Sequence, residues 1–219
     1  MWLTVSSFAF ERVQAPRSLW DPSYTETSWI AQYSTFGPIN LIPRMMQKIA
    51  AHYPGTRLSF SEYDYGAGAD ISGGLAEADV LGIFGRDGVF AAASDLLSAT
   101  NTFLFAGFAM YRNYDGAGAT FGDTSITAAN SATDLTSSYA SVFASNPTNV
   151  IVVLLNKQTT ALTAGITIAH TAHLTGANAF VLTSAAPAPS AASPLTQVAT
   201  NAFSYAMPPM SATTLVFHP

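Results

Sequence analysis

The stretch RLSFSEYDYGAGADISGGLAEADVLGIFGRDG, residues 57–88, decides the fold class because a strand pattern runs directly into a helix pattern. Its first part, 57–63, predicts a short strand. From residue 73 apolar residues recur at helical spacing until glycines end the pattern. Two carboxylates, Glu62 and Asp64, stand between aromatic residues where the predicted strand ends. The stretch therefore predicts a strand–helix unit with acids at the carboxyl end of its strand.

The neighbouring segments continue this alternation. PINLIPRMMQKIAAHYPG (38–55) predicts a helix that ends before its Pro-Gly pair, VFAAASDL (89–96) a second strand, and NTFLFAGFAMYRNY (101–114) another helix. The order helix, strand, helix, strand, helix is typical of a parallel sheet with right-handed crossovers. Functional residues in such sheets lie at the carboxyl ends of the strands. Glu62 and Asp64 occupy such a position.

A different pattern follows the Gly/Asp-rich segment NYDGAGATFGDT (113–124). Short β-rich runs then recur about every ten residues, which is typical of a β-sandwich. The seven runs are SITAA (125–129), SSYASVFAS (137–145), NVIVVLLNK (149–157), AGITIAH (164–170), AFVLTS (179–184), NAFSYAMP (201–208) and ATTLVFH (212–218). The segment SAAPAPSAASP (184–194) is predicted to be a long loop. We expect an α/β domain over 1–116 and an all-β domain over 117–219.

The composition excludes several classes of function. Charged residues make up 10% of the chain and the formal net charge is −5, against a typical charged share of about 25%. Because the basic residues are few and scattered, we expect no nucleic-acid partner and no anionic membrane surface as a partner. The absence of cysteine excludes disulfides, thiolate catalysis and cysteine-ligated zinc. No apolar run reaches the ~18 residues of a membrane span. Uncharged polar ligands fit this composition best.

Glu62 and Asp64 each allow two interpretations. An ionised Glu62 at a strand end can act as a nucleophile or base, or it can be an ordinary surface carboxylate. If the strand continues, Asp64 faces the same side at about 7 Å, and repulsion raises one pKa of the pair, as an acid catalyst requires. Alternatively, Asp64 is a turn-forming residue before Gly66.

Other candidate residues are weaker. Trp20, in RSLWDPSY, can stack on a sugar ring or belong to the core, and Tyr63 and Tyr65 are candidate substrate-binding residues beside Glu62. His170 and His173 lie three residues apart near a strand end, where this spacing does not direct both imidazoles to one metal. The glycine-rich segments lack the Lys-Ser/Thr pair of a phosphate-binding loop.

The segment SEYDYGAGADISGGLAEADVLGIFGRDGVFAA (61–92) resembles glycoside hydrolase family 44, the retaining endoglucanases and xyloglucanases. The corresponding family segment reads like TEYNYG, then ISG, then AQADVLGIFGREG. The resemblance spans roughly residues 15–219. It continues through RSLWDPSYTETSWI (17–30), INLIPRMMQKI (39–49), YPGTRL (53–58), FLFAGFAMYRNYDG (103–116), FGDTS (121–125) and PPMSATTLV (208–216).

This resemblance implies the C-terminal portion of a TIM-like (β/α)₈ barrel followed by a β-sandwich. It implies a secreted endoglucanase that cleaves β-1,4-glucans such as cellulose derivatives and xyloglucan, with Glu62 as the nucleophile and Trp20 in the glucan cleft. It also implies that catalysis needs no cofactor, although a structural calcium is expected, with ligands that the sequence does not identify. The N-terminus MWLTVSSFAFERV (1–13) lacks the basic segment and cleavage site of an export signal.

The chain also departs from the family pattern. The family's general acid is a glutamate in an Asn-Glu-Pro context, and this sequence contains no NEP. A barrel needs about 200 residues or more, whereas ~110 precede the predicted sandwich, so the barrel is expected to be incomplete. Residues 1–14 match no part of the family. Asp64 replaces an asparagine, and no tryptophan follows the strand at 89–96, where the family resemblance predicts a cleft tryptophan.

Three hypotheses follow from these observations. The first is a β-1,4-glucanase with Glu62 as nucleophile and a substitute acid, either Asp64 or a carboxylate from a neighbouring subunit. The second is a catalytically impaired fragment that acts as a glucan-binding or structural protein. The third is an α/β-plus-sandwich protein of another function. Since an incomplete barrel leaves strand edges and an apolar face uncovered, we expect either a homo-oligomer that covers this face or a rearranged fold.

Overall fold

The first part of the chain combines helices with a pair of parallel strands. The computed structural model describes residues 8–33, 37–95 and 97–219. Its first elements are α1 (Ala9–Gln14), a 3₁₀ helix (Ala15–Leu19), α2 (Trp29–Tyr33), α3 (Leu41–His52), β1 (Ser59–Tyr63), α4 (Ile71–Arg86), β2 (Ala91–Ser94) and α5 (Thr102–Arg112). The predicted order from α3 to α5 is confirmed. Of residues 1–14, which the sequence left unassigned, 8–14 include α1 and 1–7 lie outside the described residues.

Helix α4 is the central element of this part. It begins at Asp70, whose side chain accepts a hydrogen bond from the Ser72 amide at 2.9 Å and so satisfies one of the free amides of the first turn. Every residue from 71 to 80 is buried. A Cβ at Gly107 of α5 would lie 2.6 Å from the Gly74 carbonyl oxygen. Glycine therefore allows α4 and α5 to approach closely.

The second part of the chain is antiparallel. Its strands are β3 (Thr124–Ile126), β4 (Thr136–Phe143), β5 (Asn146–Asn156), β6 (Leu162–Thr167), β7 (Gly176–Thr183), β8 (Ala186–Ala191), β9 (Thr196–Ala199), β10 (Ala202–Met207) and β11 (Ser211–His218). They form a six-stranded sheet of order β3-β4-β5-β11-β7-β8 and a three-stranded sheet of order β6-β10-β9. All seven predicted β runs contain strands.

The predicted loop at 184–194 is wrong, because β8 lies within it. This strand pairs with β7 through Phe180 and Ala191, and through Thr183 and Ala186. Prolines are tolerated there because β8 is an edge strand, where an amide facing away from the partner strand needs no hydrogen bond within the sheet. The proline-rich composition therefore indicated an edge position and not the absence of a strand.

The six-stranded sheet forms a middle layer. On β5, Val150, Val152 and Leu154 pack with the three-stranded sheet, whereas Val153 and Leu155 pack with the helices. Alternate residues of a strand point to opposite faces, and a strand buried on both faces is apolar throughout. This explains the continuous apolar run of NVIVVLLNK. One apolar core is consequently shared by the helices and the six-stranded sheet, and the division at residues 116/117 stays a prediction.

A buried ion pair joins α4 to the six-stranded sheet. Lys157, which follows β5, lies 2.7 Å from Asp79 Oδ2, and both side chains are 1% exposed. The Tyr139 hydroxyl on β4 donates to Asp79 Oδ1 at 2.6 Å. These polar contacts fix the position of α4, and therefore of the strands that α4 covers. None of the described helices is long and apolar enough to cross a membrane.

Candidate functional site

The carboxyl end of β1 presents Glu62 to solvent. The strand pairs in parallel with β2, and its register shifts between Phe60 and Tyr63. This irregularity is a bulge, which changes the direction of side chains next to it. The Phe60 and Tyr63 rings both contact Phe84 of α4, with ring centroids 5.1 and 5.2 Å apart. Glu62 lies between these two residues and is exposed, so its carboxylate faces away from the helix.

Tyr63 is bound inside the protein. Its hydroxyl donates a hydrogen bond of 2.6 Å to Glu77 Oε1 of α4, and Glu77 is 3% exposed. Burial, together with the Glu77 carboxylate, raises the pKa of Tyr63 above its usual value. The Tyr63 hydroxyl is thus directed into the protein, and the contact of Tyr63 with substrate stays a prediction. The sequence analysis did not single out Glu77, although an acid inside an apolar helix pattern was a signal for it.

Asp64 and Tyr65 follow the strand and do not continue it. β1 ends at Tyr63, and Asp64 Oδ1 accepts a hydrogen bond from the Gly66 amide at 2.9 Å. The condition for a same-face pair with Glu62 is therefore not met, and Asp64 has the turn-forming contact that was the alternative. Tyr65 packs against the helical core, and burial, with smaller contributions from carboxylates, raises its pKa.

The aromatic residues before α3 differ in exposure. Trp20 is half-buried against the core, and the guanidinium of Arg86 lies 4.4 Å from its ring centroid. One indole face is thus already covered, as the core alternative predicted. On α2, by contrast, Trp29 is 70% and Tyr33 is 82% exposed. Their i, i+4 spacing places both on one helix face, so these rings are freer to meet a ligand than Trp20.

The described residues contain no cluster of metal-binding side chains of the usual kind. No three His, Asp or Glu side chains within these ranges converge on a position that could hold an ion. His170 is occupied locally, since Nε2 lies 2.9 Å from the Pro147 carbonyl oxygen and Nδ1 accepts from the Ala172 amide. The structural calcium that the sequence resemblance implies stays a prediction.

A cavity of about 780 Å³ lies elsewhere, between the two antiparallel sheets. Its apolar lining includes Ile126, Val152 and Ile166, and no acidic residue belongs to the lining. The cavity therefore supplies no carboxylate, and His170 is a titratable residue of its lining. The exposed end of β1 is the better candidate for catalysis, because Glu62 is there and Asp95 follows the neighbouring strand.

The chain resembles known proteins in sequence and in structure. No family model matches the chain. The chain is 38% identical over 203 residues to Endoglucanase A of Paenibacillus lautus. The aligned region covers 92% of this chain and 29% of that enzyme. The chain therefore spans less than a third of the length of this relative.

Solved structures show the same relationship. A family 44 endoglucanase from Clostridium thermocellum superposes with a TM-score of 0.90 at 38% identity, over 96% of this chain and 41% of that one. A Paenibacillus polymyxa xyloglucanase of glycoside hydrolase family 44, solved with xyloglucan, gives 0.90 at 37% identity, over 96% and 42%. Nearly all of this chain thus has a counterpart in these proteins, whereas more than half of each of them has none here.

Proposed function

This chain is a relative of the glycoside hydrolase family 44 enzymes that spans less than half of their length, and we propose on this basis that it hydrolyses β-1,4-glucans with Glu62 as the nucleophile. The supporting observation is the placement of Glu62, exposed at the carboxyl end of a parallel strand and directed away from α4 by a bulge. The substrates that we propose are soluble cellulose derivatives and xyloglucan. The identity to an endoglucanase over 92% of the chain supports the reaction class.

In this proposal, the α/β part is a portion of a (β/α)₈ barrel and the antiparallel sheets form a β-sandwich beside it. Only two parallel strands, β1 and β2, are described, whereas a barrel has eight. The exposed face of β1 and β2 would be the inner surface of the barrel. We also propose self-association that covers this face and the open edges of the two strands. Open strand edges bind further strands readily.

Hydrolysis with retention requires a second carboxyl group about 5–5.5 Å from the nucleophile, and inversion requires about 6.5–9.5 Å. We propose two candidates for this second group within the chain. Asp64 is the first, although its carboxylate is engaged with the Gly66 amide. Asp95, which the sequence analysis did not consider as an acid, is the second.

Asp95 directly follows β2, and its amide donates to the Tyr63 carbonyl oxygen at 2.9 Å. Tyr63 is in register with Ser94 and this hydrogen bond continues the pairing by one residue, so we propose that Asp95 lies on the side of Glu62. Strand spacing and rise put the Cα atoms of Glu62 and Asp95 about 8 Å apart, and their side chains can span the distances that either mechanism needs. A carboxylate from a second copy of the chain is the third candidate.

The test is reducing-sugar release from carboxymethylcellulose and xyloglucan. Glu62→Gln keeps the size of the side chain and removes the nucleophile, so hydrolysis is expected to fall to background. Glu11→Gln is the matched control, since it makes the same chemical change at an exposed residue of α1. Unchanged turnover in Glu62→Gln would contradict the proposal.

The second carboxyl group is identified by comparing Asp64→Asn, Asp95→Asn and the unmodified protein at several protein concentrations. Loss of activity in one variant assigns the acid to that residue. Specific activity that rises with protein concentration, with both variants active, assigns the acid to a neighbouring copy.

The alternative function is a glucan-binding or structural protein without hydrolytic activity. The exposed rings of Trp29 and Tyr33 on α2 favour it. Aromatic rings can bind sugars without any acid catalyst. Xyloglucan binding that is lost in Trp29→Ala, with no sugar release from the unmodified protein, would support this alternative over hydrolysis.

A further inference from the structure

Glu77 is a buried acid directly behind the strand that carries Glu62. It lies on α4 and is 3% exposed. Its Oε1 accepts the 2.6 Å hydrogen bond from the hydroxyl of Tyr63, the residue that follows Glu62. A Cβ placed on Gly107 of α5 would lie 2.9 Å from Glu77 Cβ. Glu77 therefore occupies a tight contact between β1, α4 and α5, and it does not face the exposed site.

The groups around Glu77 do not neutralise a charge on it. From the β1 side, Tyr63 donates its hydroxyl, and Asp64 adds a carboxylate that disfavours the ionised form of Glu77. Tyr65 is close enough for Glu77 to raise its pKa. The salt bridges of the described residues do not include Glu77.

Three charged or titratable groups on the packed elements, Arg12, Asp79 and Tyr111, have partners of their own. Arg12 of α1 donates to the Ser72 hydroxyl at 2.8 Å and to the Tyr65 carbonyl oxygen at 3.1 Å. On α4 itself, Asp79 is paired with Lys157. On α5, the Tyr111 hydroxyl donates to the Ala78 carbonyl oxygen at 2.9 Å.

We propose that Glu77 is a positioning residue. As a neutral carboxylic acid it holds the Tyr63 hydroxyl, fixes the bulge of β1, and so sets the direction of Glu62. The rigid link runs from Glu77 through the Tyr63 hydroxyl to the backbone next to Glu62. Phe84 supports it from the same helix by packing edge-on against the Tyr63 ring. The effect on hydrolysis rests on the proposed function, whereas the protonation state of Glu77 does not.

Burial raises the pKa of Glu77 to about 7, against an ordinary value of 4.5, and this outweighs the lowering by the Tyr63 hydrogen bond. The folded protein therefore holds this proton more tightly than the unfolded chain. The stability that this proton contributes is fully present below pH 4.5, falls as pH rises toward 7, and is lost above it. Above pH 7 the buried charge favours entry of water between β1 and α4, which releases Tyr63 and the strand end.

The experiment compares the unmodified protein with Glu77→Gln, a neutral residue of the same shape, at pH 5 to 8. In urea unfolding, the ratio of the two unfolding equilibrium constants is expected to change by about 70-fold between pH 5 and pH 8. The unmodified protein loses stability relative to the variant as pH rises. A ratio independent of pH overturns the proposal, and so does failure of Glu77→Gln to fold, because a neutral isostere must fit this site.

Hydrolysis provides the second readout. The kcat of the unmodified protein is expected to fall between pH 6 and 8, and this fall is lost in Glu77→Gln. Tyr63→Phe removes the hydrogen bond that lowers the pKa of Glu77, so the fall is expected to move to higher pH. A merely structural role would not remove the fall in one variant and move it to higher pH in the other. If no protein releases sugar, the proposed function fails, while the urea experiment still decides the protonation of Glu77.

Discussion

Two glycines of the same helix are expected to respond in opposite ways to alanine. A Cβ on Gly82 of α4 would lie 2.2 Å from Cδ2 of the Tyr139 ring, whereas a Cβ on Gly85 would have no atom within 4 Å. Gly82 therefore marks the closest approach of α4 to β4. Gly85, one turn further along, faces open space and serves as a matched control.

The magnitude follows from the freedom of the Tyr139 ring. The ring is 5% exposed, and its hydroxyl is held by Asp79 at 2.6 Å, so it cannot move away without breaking a buried hydrogen bond. Overpacking of this kind costs about 1–3 kcal/mol. Alanine in place of glycine in a helix contributes about 0.5–1 kcal/mol of stability. Gly85→Ala is therefore expected to stabilise the protein and Gly82→Ala to destabilise it.

Equilibrium urea unfolding of the two variants, monitored by far-UV circular dichroism, measures this difference. Because the helix-propensity gain is common to both, the free energies of unfolding should differ by the overpacking cost of about 1–3 kcal/mol. Equal stabilisation of both variants would refute the close packing of α4 on the six-stranded sheet. The positions of Tyr63 and Glu77 would then need revision as well, since the same helix determines them.

Two further stability predictions concern the buried ion pair and the N-terminal cap of α4. Lys157→Met should lower the free energy of unfolding by about 3–5 kcal/mol because it leaves Asp79 buried and unpaired. The double variant Lys157→Met/Asp79→Leu should recover most of this loss. Urea unfolding of the three proteins tests both expectations, and a cost of Lys157→Met below ~1 kcal/mol would contradict the ion pair. Asp70→Ala should lower the free energy of unfolding by about 0.5–2 kcal/mol, because the Ser72 amide loses its capping hydrogen bond. Asp70→Ser should retain most of the stability. Equal thermal midpoints for the two variants would argue against the cap.

The order of elements was accessible from the sequence because it depends on local periodicity. Helices α3, α4 and α5, the strands between them and seven later strands all appear where apolar spacing and turn residues predicted them. β8 was missed because its composition is that of a loop, and only pairing with β7 makes it a strand. α2 was missed because five residues are too short to show a helical period.

The candidate site was predictable only in part. The sequence placed Glu62 at a strand end, and this placement needed no tertiary information. The distribution of roles among its neighbours did need it, because a bulge between Phe60 and Tyr63 changes which side chains share a face. Tyr63 consequently contacts α4, and Asp64 forms a turn, whereas uninterrupted alternation would have placed Asp64 beside Glu62.

By itself, the sequence determined the class of each segment, the resemblance to family 44 and the exposed acid, since periodicity, motif and strand ends are local properties. Tertiary structure alone decided that Glu77 is buried against Tyr63 and that Asp79 pairs with Lys157 across 78 positions of the chain. The pKa of an acid depends on its burial and on the charges around it. These surroundings are assembled from distant segments, so the chemistry of Glu77 arises only when α4 packs between the parallel strands and the six-stranded sheet.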